Sequence, residues 1–202
     1  MFNVMRDIRG LSEGDLAKML HENLTKVDET FDSNDRLYVH QQNRGQLHKI
    51  LGRITDFVTV NSGQASNYLE LTNGAKVKYE VEHVWADHPE RHKDEFEQDV
   101  EFAAHRNRIG GLLLLPKQFN ASYNDDTYEQ KLPHHHSQNL LTASLSPLTY
   151  EKNPGFVSFI KSSGLAFKPY TEFKKADLVE REQLYREVAK LVWNPDDLLN
   201  VV

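Results

Sequence analysis

The sequence predicts an α+β domain that is mainly helical and contains one small ββα unit. Apolar residues recur at helical spacing towards both ends of the chain. Between these regions, residues 76–84 and 109–115 have the apolar patterns of short strands. The predicted order is therefore helices, then a strand, a loop, a second strand and a helix, and then further helices.

The N-terminal part is predicted to be helical. A first helix begins after Ser12, because Ser12 and Asp15 have the spacing of a capping box. A second helix runs from about residue 42 to 60, with its apolar residues on one face, and a polar loop follows it. We therefore assign residues 1–66 to an N-terminal helical segment. Residues 67–202 form the core with its C-terminal helical part, and we expect both to make one compact domain.

The two predicted strands differ in character. Lys76 to Val84 follows a turn signal and alternates enough to indicate a strand. Ile109 to Leu115 is a short apolar run, which is typical of a buried strand. Gly110 and Gly111 lie in this run, and we interpret them as room for close approach by another segment of backbone.

Helical signals dominate the remainder of the chain. A helix is predicted to start at Thr127 and to stop at Pro133, because proline interrupts helical hydrogen bonding. The last helix begins near Asp177, where Glu180 completes a capping signature, and ends before Pro195.

The composition limits the kinds of site that the chain can hold. The 202 residues include no cysteine, so disulfides and thiolate zinc sites are excluded. Any metal must bind to oxygen or imidazole ligands, which favours a magnesium-like ion. The chain has no apolar run of membrane-spanning length and no secretory leader, and we expect it to be cytoplasmic.

The charge distribution is compatible with a local phosphate-binding face. The net charge of −6 argues against a protein that coats nucleic acid through bulk electrostatics. Residues 103–120, however, contain Arg106, Arg108 and Lys117 and no acid. We therefore predict that these three residues bind nucleic acid, although a normal mixed surface has the same composition.

Three residues have the chemistry that phosphodiester hydrolysis needs. Glu82 and His83 fall at the end of the first predicted strand, and Asn120 follows the second. A histidine is often neutral near pH 7 and can act as a base towards water. A carboxylate and a carboxamide can bind one hard cation. An adjacent acid and histidine can cooperate only where a strand ends or bends, because successive side chains face opposite sides.

The order and spacing of these motifs resemble the nuclease domain at the C-terminal end of GmrSD-type restriction enzymes. That domain is a branch of the His-Me finger, or HNH, superfamily with a ββα-metal core. The resemblance covers roughly residues 45–195 and is carried by EHVW, by RNRIGGLLLLPKQFNASYND, by YEQKL and by the later HHHSQNLL. The family's acid–His pair, strand, Asn and Lys correspond to Glu82-His83, residues 110–115, Asn120 and Lys131.

The resemblance implies a role for each of these residues. His83 would be the general base, and Glu82 with Asn120 would bind one divalent cation, Mg²⁺ or Mn²⁺. Lys131 or Arg108 would hold a phosphate. Asn124 is the alternative metal ligand to Asn120.

One position departs from the family pattern. Gly111 stands where the family usually has an Asn that helps to hold the loop carrying the base. Asn107, four residues earlier, is the candidate to orient His83 in its place, and the alternative is a structural turn residue. Among the three consecutive histidines, we expect His134 to support the structure and His135 and His136 to lie at the surface.

The resemblance also implies partners. The expected substrate is DNA, in a restriction or anti-phage system, and an NTP-hydrolysing domain or subunit would act with this chain. The chain itself has no nucleotide-binding motif, so we expect either a fragment or a nuclease that needs a partner. Two alternatives stay open at this point: a nuclease acting on RNA, and a nucleic-acid-binding module without catalysis.

Overall fold

The protein is mainly helical with a small two-stranded sheet, as the sequence predicts. The computed structural model describes residues 2–27, 30–31, 37–74 and 76–201, and the side chains of residues 2–4, 120 and 201 lie outside the description. Within these residues, no helix is both long enough and apolar enough to cross a membrane.

The helices and strands are short and follow one another closely along the chain. The α-helices are α1 (Phe2–Asp7), α2 (Glu13–Leu24), α3 (Arg44–Asn61), α4 (Tyr68–Asn73), α5 (Asp99–Arg106), α6 (Lys117–Tyr123), α7 (Tyr128–His135), α8 (Leu140–Ala143), α9 (Pro147–Lys152), α10 (Pro154–Ser163) and α11 (Lys175–Val192). The strands are β1 (Tyr79–His83) and β2 (Leu112–Pro116), and 3-10 helices span Pro89–His92, Ile109–Gly111 and Pro195–Val201.

Strands β1 and β2 pair antiparallel, so that Glu82 lies opposite Leu113 and His83 opposite Leu112. The four leucines of β2 are buried, which confirms the buried strand predicted from the apolar run. Helix α6 follows β2 directly and packs against both strands. The chain therefore contains two paired strands followed at once by a helix.

Helix α3 confirms the second predicted helix within two residues at its start. Its residues Leu47, Leu51, Ile54 and Val58 recur every three or four positions and are almost fully buried. The helix packs against β1 and β2. The sheet is thus supported by a helix that precedes it in the chain.

Helix α7 corrects one prediction. Pro133 does not stop the helix, which continues through it to His135. The start is fixed by a capping box, in which the Thr127 backbone N–H donates to Gln130 at 2.8 Å and the Thr127 hydroxyl accepts from the Gln130 backbone. Proline at this position removes one N–H from the ladder, and the helix extends only two further residues.

Gly110 is required by the packing of α11. A Cβ atom at Gly110 would collide with the backbone oxygen of Leu178 and would lie 2.5 Å from the backbone nitrogen of Glu182. This confirms that the glycine allows another backbone to approach closely.

The chain divides into two compact units. One unit comprises residues 1–35 and 190–202, and within it α2 packs against the C-terminal 3-10 helix, with His21 hydrogen-bonded to Asp196 at 2.9 Å. The other unit comprises residues 36–189 and contains the sheet. The boundary predicted after residue 66 stays a prediction.

Candidate active site

Glu82 and His83 are the last two residues of β1, and both line one narrow cleft. The backbone N–H of the next residue, Val84, still donates to Gly111 at 2.9 Å, and the strand ends there. An acid and a histidine that are adjacent in sequence therefore reach the same space, as expected at a strand end. We call this space the His83 cleft; it is lined by Glu82, His83, Leu115, Phe119, Tyr123, Asn124 and Lys131.

Asn107 holds the ring of His83. The side-chain oxygen of Asn107 lies 2.9 Å from Nε2 of His83. Because a carboxamide oxygen only accepts hydrogen bonds, Nε2 carries the proton and donates it. The neutral ring then has its lone pair on Nδ1. Asn107 is itself fixed at the end of α5, where its backbone oxygen accepts from Val39 at 2.7 Å.

His83 is neutral near pH 7. Burial lowers the pKa of His83 to about 4, and the positive charge of Arg106 adds to this lowering. The hydrogen bond with Asn107 opposes it, and the charges of Arg44 and Asp87 have smaller effects, in opposite directions. A neutral imidazole whose donor nitrogen is already engaged has one acceptor nitrogen left. This is the electronic state that a general base requires.

Glu82 is the acid of the cleft. Burial raises the pKa of Glu82, and the positive charges of Lys131, Arg44 and Arg106 partly oppose that rise. The carboxylate therefore lies in a poorly solvated place, where the charges of three cationic side chains act on it.

Lys131 extends from α7 into the cleft and is only 4% exposed. Its ammonium group donates to the backbone oxygen of Asn124 at 3.4 Å. Burial lowers the pKa of Lys131, while the negative charge of Glu82 raises it. The structure thus brings Lys131 to the pair Glu82-His83, from 48 residues further along the chain.

The three predicted nucleic-acid-binding residues lie in different surroundings. Arg106 is partly buried near Glu82 and donates from Nε to the backbone oxygen of Trp85 at 3.1 Å. Arg108 forms an ion pair with Glu182 of α11 at 2.5 Å. Lys117 is exposed at the start of α6. Arg106 acts on the charges of both Glu82 and His83.

Arg44 was missed by the sequence analysis. It begins α3, donates from Nη2 to the backbone oxygen of Val81 at 2.6 Å, and influences the pKa values of both Glu82 and His83. No local signal identifies it, because it lies 38 residues before Glu82 in the sequence.

Asn120 belongs to α6, but its side chain lies outside the described residues. Its predicted role as a metal ligand therefore stays a prediction. Tyr123 and Asn124, three and four residues further on, line the His83 cleft. Among the described residues, no group of three or more His, Cys, Asp or Glu side chains has a metal-binding arrangement.

The histidine tract corrects another prediction. His135, expected at the surface, is only 1% exposed, and its ring lies against Phe119 and Tyr128 with centroids 6.1 and 6.2 Å away. The side chain of His136 is partly buried, and its Nδ1 lies 3.1 Å from the hydroxyl of Thr149. The helix that presents Lys131 to the cleft also turns His135 inward.

Comparison with known protein families gives the class of the protein. A family model matches residues 25–188, most of the chain, and the class it defines is the nuclease module of a restriction endonuclease. The chain belongs to the family of the C-terminal domain of GmrSD restriction endonucleases. No curated protein and no solved structure matches it.

Proposed function

We propose that the chain is a metal-dependent HNH-type endonuclease that hydrolyses phosphodiester bonds of DNA. The observation that carries this proposal is the state of His83: a neutral ring, hydrogen-bonded at Nε2 to Asn107, in a cleft shared with Glu82 and Lys131. In the proposed reaction, Nδ1 of His83 takes a proton from water as the water attacks phosphorus. A general base of this kind contributes about 10²–10⁴ in rate.

The local architecture supports a ββα-metal core of the His-Me finger type. The base ends β1, β2 pairs with it, and α6 follows immediately and contacts both strands. Asn120, the second metal ligand in this proposal, lies in that helix. We therefore infer that helix α6 brings this ligand to the end of β1.

Glu82 and Asn120 would hold one divalent cation, Mg²⁺ or Mn²⁺. The donor set fits a hard cation, because it consists of carboxylate and carboxamide oxygens. The desolvation that raises the pKa of Glu82 also makes its carboxylate a site that a bound cation would stabilise. When bound, such a cation polarises the phosphate and stabilises the leaving oxygen.

Three cationic side chains supply further stabilisation. Lys131, Arg44 and Arg106 all act on the charge of Glu82, and we infer that their positive charge also acts on a phosphate bound beside it. Negative charge grows on the phosphate as water attacks, and fixed positive charges in a poorly solvated cleft stabilise that change. Lys131 is the buried member and therefore the expected phosphate ligand.

The test is a plasmid-nicking assay with Mg²⁺, Mn²⁺ or EDTA, using the wild type and Glu82→Gln. We expect nicking with either cation, none in EDTA, and a loss of at least about 100-fold in Glu82→Gln, because several kcal/mol of transition-state stabilisation depend on the metal. Glu101→Gln, an exposed change on α5, is the matched control and keeps the wild-type rate.

Two outcomes would overturn the proposal. One is nicking that continues in EDTA, and the other is a Glu82→Gln protein that nicks at the wild-type rate. A parallel digestion of RNA decides the substrate. Faster cleavage of RNA than of DNA would show that the protein is a ribonuclease that uses the same active site.

A further inference from the structure

A groove runs along the outer edge of β1, between α3 and α4. Its volume is about 580 Å³. It is lined by Arg44 and His48 of α3, by Leu71 of α4, and by residues 78–81, which comprise Lys78 and the first three residues of β1. We call it the β1 groove. It leads from Arg44, which acts on Glu82 and His83, to Lys78, which precedes β1.

The edge of β1 in this groove is closed to another strand. Nη2 of Arg44 donates to the backbone oxygen of Val81 at 2.6 Å, and Nε2 of His48 lies 3.1 Å from the backbone oxygen of Tyr79. These are the carbonyls that face away from β2. Because side chains already occupy them, a peptide cannot add to this edge by backbone pairing.

The charged residues that line the groove are Arg44, Lys78 and Glu80, so positive charge predominates there and suits a phosphate backbone. A guanidinium has five N–H donors, so the bond from Arg44 to Val81 leaves others for a ligand. The Lys78 side chain is 72% exposed, and its only acidic partner among the described residues is Glu80 at 3.5 Å. Such an exposed ion pair contributes little free energy and yields readily to a phosphate. The positive charge of the groove is therefore local, because the chain as a whole has a net charge of −6.

The distance along β1 between Lys78 and Glu82 indicates that Lys78 and the active site contact different phosphates of a DNA strand. Lys78 precedes Glu82 by four residues. At about 3.3 Å per strand residue, the two lie roughly 13 Å apart along β1. A DNA strand advances about 3.4 Å per nucleotide along the duplex axis, so this distance corresponds to about four nucleotides. Lys78 is therefore better placed to contact a different phosphate from the one cleaved at Glu82 and His83.

We propose that the β1 groove binds the DNA backbone on one side of the cleaved bond. Arg44 holds the phosphate next to the reacting one, and Lys78 holds a phosphate about four nucleotides away. This inference rests on the proposed function, because it takes DNA as the substrate. It adds a binding site that extends beyond the His83 cleft.

The test measures binding without cleavage. A fluorescent duplex oligonucleotide is titrated in EDTA over a range of salt concentrations, with the wild type, Lys78→Ala and Lys49→Ala. We expect Lys78→Ala to bind more weakly and to reduce the slope of log K against log [salt] by about 0.9, the value for one lost phosphate contact. Lys49→Ala removes an exposed charge from α3 outside the groove and keeps the wild-type slope.

Failure of the groove and failure of the nuclease function give different results. The proposed DNA site in the β1 groove is wrong if the slope of log K against log [salt] for Lys78→Ala equals that of the wild type and of Lys49→Ala. It is also wrong if the wild type does not bind DNA. If Lys78→Ala reduces the slope but the wild type does not nick DNA with Mg²⁺ or Mn²⁺, the groove stands and the proposed reaction fails.

Discussion

His83 and His135 are two buried histidines with opposite surroundings. Burial lowers the pKa of His83 to about 4 and that of His135 to about 3. His83 ends a strand, binds Asn107 at 2.9 Å and lines the cleft that also contains Glu82 and Lys131. His135 ends α7 among aromatic rings, and among the described side chains neither of its ring nitrogens has a hydrogen-bond partner.

The comparison shows that a lowered pKa does not by itself mark a catalytic histidine. Both rings are neutral near pH 7 for the same reason, which is desolvation. Of the two, His83 alone has one nitrogen fixed by a partner and its ring in a cleft beside a carboxylate. His135 packs its ring against Phe119 and Tyr128, away from any carboxylate partner among the described residues. Geometry and partners therefore distinguish the two, and the following experiments test that distinction.

The largest difference is expected in activity. His83→Ala should reduce plasmid nicking by about 10²–10⁴, because the base is lost. His135→Leu should nick close to the wild-type rate, since Leu fills a similar volume and the ring has no part in the proposed reaction. Initial nicking rates with Mg²⁺ measure both effects, and thermal unfolding checks that each variant is folded. A His83→Ala protein with wild-type activity would remove His83 as the base.

The second effect is expected in acid stability, to which both buried histidines contribute because both pKa values are lowered. The pKa of His135 is about 3 in the folded chain and about 6.5 when unfolded, so the unfolded chain binds more protons between these values. The free energy of unfolding therefore falls as pH falls from 6.5 towards 3. At pH 5 the loss from this one group is about 2 kcal/mol relative to pH 7.

His135→Leu removes that loss. Urea unfolding at pH 7 and pH 5 should show the variant gaining about 2 kcal/mol relative to the wild type on acidification. His105→Leu is the control, because His105 is only partly buried on α5 and its Nδ1 bonds within the helix, to Glu101. An equal fall in both His135→Leu and the wild type would mean that His135 does not set the acid response.

The smallest effect is expected at Asn107. Asn107→Leu removes the acceptor for Nε2 of His83, and one such hydrogen bond contributes about 0.5–1.5 kcal/mol, or roughly 3–10-fold in rate. Asn107→Asp keeps an acceptor oxygen and should restore most of kcat. Because Asn107 is a positioning residue, we expect kcat to fall and KM to change little. Equal losses in the Leu and Asp variants would show a structural role for Asn107.

Local signals predicted the elements of the site but not all of its contacts. The apolar run of β2 and the helical face of α3 were predicted correctly, because periodicity and burial are local properties of the chain. The end of β1 at Glu82-His83 was also predicted from its residues. The stop at Pro133 and the surface position of His135 were wrong, because α7 buries Tyr128, Lys131 and His135 on one face and this packing outweighs local preference.

Long-range contacts account for what was missed. Arg44 enters the site from the start of α3, and no pattern near Glu82 indicates it. Asn107 was a candidate, but its bond to His83 depends on how the end of α5 packs beside β1, where the backbone N–H of Val39 also holds it. Such contacts form only when distant segments come together.

Residue type and local spacing were enough to predict the helical class of the protein and its two strands, and they indicated the chemistry available at Glu82 and His83, whereas Lys131 followed from the family resemblance. The folded chain was needed to show which nitrogen of His83 lies against Asn107 and which cations act on the charge of Glu82. Both depend on hydrogen bonds and desolvation, and these are fixed by residues 24 to 49 positions away in the chain.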